Sequence, residues 1–83
     1  MADYIEGEII VEFKRSVSSG EAILIVKSLG LAVKNRVGSL NMYLVAVPAG
    51  SEEKWLKHFR SLAGVNYAQY NSAATMAKTG KPQ

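Results

Sequence analysis

Residues 40–70, LNMYLVAVPAGSEEKWLKHFRSLAGVNYAQY, decide the fold. Leu40–Val47 is an apolar run of strand length, and Pro48-Ala49-Gly50 stops it. Ser51 stands where a helix cap belongs. Glu52 and Glu53 follow in the first turn, where the helix dipole favours negative charge. Trp55, Leu56, Phe59, Leu62 and Ala63 then recur at helical spacing and predict a buried stripe. Lys54, Lys57, His58, Arg60 and Ser61 fall on the wet side. Gly64 ends the helix, and Val65–Tyr70 reads as another strand. The segment is therefore strand–helix–strand.

The N-terminal half repeats that order. In Gly7–Lys14, GEIIVEFK, the residues Ile9, Val11 and Phe13 alternate with Ile10, Glu12 and Lys14, which predicts a strand. Ser18 with Glu21 three residues on is a capping-box pattern, and Ala22, Ile25, Val26 and Leu29 follow with helical spacing. Gly30 suits the helix end, and Leu31–Val37 reads as a strand with basic residues on one side, as an edge strand needs. Gly38-Ser39 is a turn signal before the strand that opens the deciding segment. The expected fold is α+β: a ferredoxin-like βαββαβ order, a four-stranded antiparallel sheet with two helices on one face. Residues 1–71 form the expected domain, and 72–83, small and polar without apolar period, the expected flexible C-terminal tail.

Bulk composition narrows the function classes. A chain of 83 residues with 48% apolar residues makes one domain with a single core. There is no cysteine, so neither disulfides nor thiolate metal sites hold it. The net charge of +3 owes two units to Lys78 and Lys81 in the tail, which argues against a nucleic-acid partner. No run is long and apolar enough to span a membrane. MADYIEGE is acidic and unlike a secretory signal, so the chain reads as soluble: cytoplasmic if it stands alone, secreted if it is a trimmed propeptide.

Catalytic chemistry is missing. His58 is the single histidine, on the polar side of the second helix, and Asp3 is the single aspartate. No arrangement for nucleophilic catalysis follows from them, and no paired ligands suggest a metal or cofactor. An RNA-recognition domain of this topology needs stacking aromatics on its central strands, and that signature is absent. The expectation is a non-enzyme.

What remains is an uncovered sheet face. Two helices cover one side only, yet the third strand is apolar on both: Met42, Leu44 and Ala46 on one, Tyr43, Val45 and Val47 on the other. An exposed apolar face marks a docking surface. The expected docking residues are Tyr43, Val45 and Tyr67. Self-association through the same face, as in a non-catalytic regulatory or structural domain, is the competing reading; the expected state is otherwise a monomer.

The runs GEIIVEFK, SSGEAILIVKSLG and LNMYLVAVPAGSEEKWLKHFRSLAGVNYAQYN, in this order and spacing, resemble the propeptides of subtilisin-like serine proteases and the stand-alone inhibitors related to them. The resemblance covers residues 7–77. It implies a protease inhibitor that can also act as an intramolecular folding chaperone, with a subtilisin-like serine protease as partner. It implies docking of the open face on two protease helices, and a tail running through the substrate cleft by strand addition. The family's ending V-x-Y-V-E-x-D falls on Val65, Tyr67, Ala68, Gln69 and Asn71, which makes Gln69 and Asn71 the expected helix-capping contacts. Here amides stand where the family has carboxylates. The same register places Ala74, Thr75, Met76 and Ala77 in the cleft.

Overall fold

The computed structural model describes residues 4–72. The elements are β1 (Glu8–Phe13), α1 (Ser19–Ser28), β2 (Ala32–Val37), a short 3-10 turn (Gly38–Leu40), β3 (Met42–Ala46), α2 (Glu52–Arg60) and β4 (Val65–Tyr70). They form one four-stranded sheet in the order β2-β3-β1-β4, with every neighbouring pair antiparallel. This is the ferredoxin-like α+β fold expected from the sequence.

The core lies between the sheet and the helices. Ile9, Val11 and Phe13 of β1 meet Tyr43 and Val45 of β3, Val65 and Ala68 of β4, Ala22 and Val26 of α1, and Leu56 and Phe59 of α2. Phe13 and Tyr43 pack edge to face with centroids 5.6 Å apart. Burying a side chain of this size contributes about 1.5–3 kcal/mol, so α2 is held mainly by Leu56 and Phe59.

The capping box at α1 forms as the spacing demands. Ser18 Oγ accepts from the Glu21 N–H at 3.1 Å, and Glu21 Oε1 accepts from the Ser18 N–H at 3.0 Å. The start of α2 differs from expectation. The Ser51 hydroxyl donates to the Pro48 carbonyl at 2.6 Å and caps nothing. Glu52 is 2% exposed rather than a solvated helix-start charge. Its Oε2 accepts from the Gly7 N–H at 2.7 Å and its Oε1 from the Gly50 N–H at 3.0 Å. One carboxylate thus ties the entry of β1 to the turn before α2. Those donors hold its carboxyl below the ordinary carboxylate range, the Gly7 N–H first, against the opposing effect of burial. Because α2 stops at Arg60, Ala63 lies outside the helix and is exposed rather than buried.

β3 starts later than the apolar run suggests, because Gly38–Leu40 turns and Asn41 takes a left-handed conformation at φ 52°. Asn41 is the hub of that corner. Its Nδ2 donates to the carbonyls of Lys14 and Val17, both at 2.9 Å, and its Oδ1 accepts from the Tyr43 hydroxyl at 2.9 Å. This corner sets the phase of β3. Tyr43 pairs with Val11 and Val45 with Ile9, so both point toward the helices. At 1% and 0% exposed they are core residues, not docking residues. Period-two alternation could not choose between the faces because both sets of side chains are apolar.

Candidate functional site

The face away from the helices is built by the alternate residues. β1 contributes Glu8, Ile10 and Glu12, and β3 contributes their partners Ala46, Leu44 and Met42. On the other flank Gln69 lies opposite Ile10, and Tyr67 opposite Glu12. Leu44 and Ala46 are half-buried with no helix above them, and Tyr67 is 37% exposed. The centre is therefore an apolar strip: Ile10, Met42, Leu44 and Ala46. Of the three docking residues expected from sequence, Tyr67 alone lies on this face; Met42 and Leu44 take the places expected of Tyr43 and Val45.

Two carboxylates rim the strip. Glu8 pairs with Lys34, which reaches across from the β2 edge, and accepts from Asn71 Nδ2 at 2.8 Å. These donors, Lys34 first, lower its carboxyl below the ordinary range. Glu12 accepts from Asn66 Nδ2 at 3.0 Å. The Tyr67 phenol is pushed up, first by burial and then by its bond to the Glu12 carboxylate. The apolar phase of GEIIVEFK places Glu12 beside Ile10 but does not by itself mark Glu8 and Glu12 as rim carboxylates. The signal was present: they flank Ile10 at i±2, on the face that two helices cannot cover.

Asn71 is placed differently from expectation. It is 2% exposed, and its amide nitrogen is committed to Glu8. Its Oδ1 is buried with no partner among the described residues. An acceptor left so costs about 1–3 kcal/mol, which the Glu8 bond and the backbone around it must offset. Asn71 thus locks the strand end rather than presenting an amide outward. The bond also explains the amide itself, since a carboxylate at 71 would face the Glu8 carboxylate. Gln69 remains on the open face, partly exposed, where an outward contact is geometrically available.

A clip closes over the same end of β4. The Ile5 N–H donates to the Asn71 carbonyl at 2.7 Å, and the Tyr4 ring stacks on Tyr70 with centroids 4.3 Å apart. Gly7, at φ +83°, makes the turn into β1, its N–H held by Glu52 and its carbonyl accepting from the Val47 N–H at 2.9 Å. The Tyr4 phenol is raised, chiefly by burial and then by the nearby Glu52 charge. Ala74, Thr75, Met76 and Ala77 lie outside the described residues.

His58 is exposed on α2, with Trp55 and Phe59 rings beside it. No cluster of three or more metal-ligating side chains exists among the described residues, and no described helix is long and apolar enough to cross a membrane.

The model of the Fervidolysin N-terminal prodomain family matches residues 1–71. The chain belongs to that family. It is a propeptide family of subtilisin-like proteases, which agrees with the resemblance drawn from the strand and helix segments. Neither a curated protein nor a solved structure matches the chain. Protease propeptides are broadly associated with inhibition and assisted folding of their enzyme, and the family is typically non-catalytic.

Proposed function

We propose that this domain inhibits a subtilisin-like serine protease by seating its open sheet face on the enzyme and passing residues 74–77 through the substrate cleft. The observation that carries this reading is the family match over residues 1–71, joined to an apolar strip on the face away from the helices, where Leu44 and Ala46 are partly exposed beside the buried Ile10 and Met42. Residues 1–71 are the docking domain and 72–83 the inserting tail. The strip supplies apolar contact. Gln69 and the rim carboxylates supply acceptors, which suit the free N–H groups and partial positive charge at helix N-termini. Extended residues in the cleft add main-chain hydrogen bonds to the enzyme, and small side chains such as Ala74 and Ala77 enter narrow subsites without clash. The domain acts by binding and carries no catalysis of its own. By stabilising the folded enzyme through mass action, it also assists its folding.

Titration into several subtilisin-type proteases tests this directly. Stoichiometric loss of activity is expected. No inhibition at micromolar concentration against any of them overturns it. Sedimentation of the chain alone addresses the competing occupant of the face: a dimer that persists when the protease is added points to self-association instead.

A further inference from the structure

We propose that the N-terminal clip, Tyr4–Gly7, is a positioning element for the C-terminal tail: it fixes the direction in which the chain leaves β4. This rests on the reading that residues 74–77 occupy the cleft.

The ladder between β1 and β4 ends at the Ile9–Tyr70 pair. A strand end beyond its ladder is ordinarily free to swing. Here three separate contacts converge on the last ladder residue, Tyr70, and on Asn71 just past it. Tyr4 stacks on Tyr70, the Ile5 N–H holds the Asn71 carbonyl at 2.7 Å, and Asn71 Nδ2 is held by Glu8 at 2.8 Å. The clip is itself anchored from both layers. Gly7 binds Glu52 of α2 through its N–H and Val47, just past β3, through its carbonyl.

These contacts are not needed to close the core. Neither Tyr4 nor Ile5 belongs to the core cluster, and Ile5 is 40% exposed. Asn71 even buries an acceptor that has no partner among the described residues. The arrangement spends polar burial on fixing the orientation of one peptide. Only Ser72 and Ala73 separate Asn71 from Ala74, three positions and at most about 11 Å of extended chain. With so short a reach, the direction set at Asn71 carries directly into the placement of Ala74 unless the two intervening residues are themselves ordered. Holding the exit in place lowers the entropy lost when the tail inserts, which tightens binding without any new contact to the enzyme.

The test is a double-mutant cycle on the full chain, with the inhibition constant against a subtilisin-type protease as readout. One arm is Tyr4→Ala, with Tyr4→Phe as the variant that keeps the ring. The other replaces Ala74, Thr75, Met76 and Ala77 together by glycine. Tyr4→Ala is expected to weaken inhibition about tenfold in the native tail and hardly at all in the glycine tail, with Tyr4→Phe restoring it. Equal weakening in both tails overturns the proposal, since the clip would then serve docking or folding. No weakening in the native tail, where the glycine tail alone does weaken inhibition, also overturns it. If the glycine tail leaves inhibition unchanged, the cleft reading fails first and takes this one with it. Should Tyr4→Ala unfold the chain, Ile5→Pro removes the N–H that donates to the Asn71 carbonyl and is scored by the same criteria.

Discussion

The two faces of this sheet are made from the same strands and obey different rules. On the covered face the central strands β1 and β3 are apolar and closed: Ile9, Val11, Phe13, Tyr43 and Val45 are at most 1% exposed. On the open face the apolar strip is narrow, half-exposed at Leu44 and Ala46, and rimmed by Glu8 and Glu12 with their own donors. The covered face specifies the fold. The open face keeps part of its apolar strip exposed, and each rim carboxylate already accepts from a side-chain donor. On the docking proposed above, the covered face must be dry always and the open face only when occupied.

The largest effect should come from the covered face. Phe59→Ala removes a fully buried ring from α2 and should cost about 3–5 kcal/mol, measured by chemical denaturation. For a domain this small, that is a large share of its total stability. A loss below about 1 kcal/mol would mean that the core reorganises around the gap, and that the two faces differ less than their burial implies.

Asn71→Asp tests the rim. The change puts a second carboxylate where an amide now donates to Glu8 at 2.8 Å. It should destabilise the domain by about 1–3 kcal/mol at neutral pH. Like charges raise the pKa of one of the pair, so the cost is full above that raised value and fades as the pH falls and the pair takes up a proton. Comparing denaturation midpoints at pH 7 and pH 4 reads this out; an equal penalty at both would show that the carboxylates do not meet.

Leu44→Lys addresses the open face alone. Leu44 is half-exposed between Ile10 and Asn35, so folding stability should change by less than about 1 kcal/mol. Inhibition of a subtilisin-type protease should weaken about tenfold, roughly 1.4 kcal/mol. Lost stability with unchanged inhibition would reverse the roles assigned to the two faces.

Most of the fold was legible because its signals are local. The alternation in GEIIVEFK, the Ser18–Glu21 box and the stripe of Leu56 and Phe59 each name an element without knowledge of the others. The face of β3 was not legible in the same way. Its two phases are both apolar, and the choice is made by Asn41, whose side chain bonds to residues 24 and 27 positions away. The burial of Glu52 was hidden for a similar reason, since its partner Gly7 is 45 positions distant. Asn71 was read as an outward group because the family pattern has a carboxylate there. Glu8, which makes an amide the better residue, stands on another strand.

The finest separation of the two faces uses acid and salt. Glu8 on the open rim and Glu52 beneath the β1 entry both have folded-state pKa values below the ordinary carboxylate value of 4.5. A depressed acid stabilises the fold above its unfolded pKa, and that contribution is lost as the pH falls through the folded value. Stability should therefore be level from neutral pH down to about 4.5 and decline below it. The two groups differ in what holds them. Lys34 is the main partner of Glu8 and sits in water, so at 1 M salt, where charges are screened within about 3 Å, the Glu8 share should shrink. The backbone N–H groups of Gly7 and Gly50, not a mobile side-chain cation, hold the buried Glu52, and its share should persist. Glu52→Gln should accordingly remove the part of the acid decline that survives in salt, as followed by thermal melting across pH. If salt abolishes the whole decline, the buried carboxylate contributes nothing to acid stability and the open rim carries all of it.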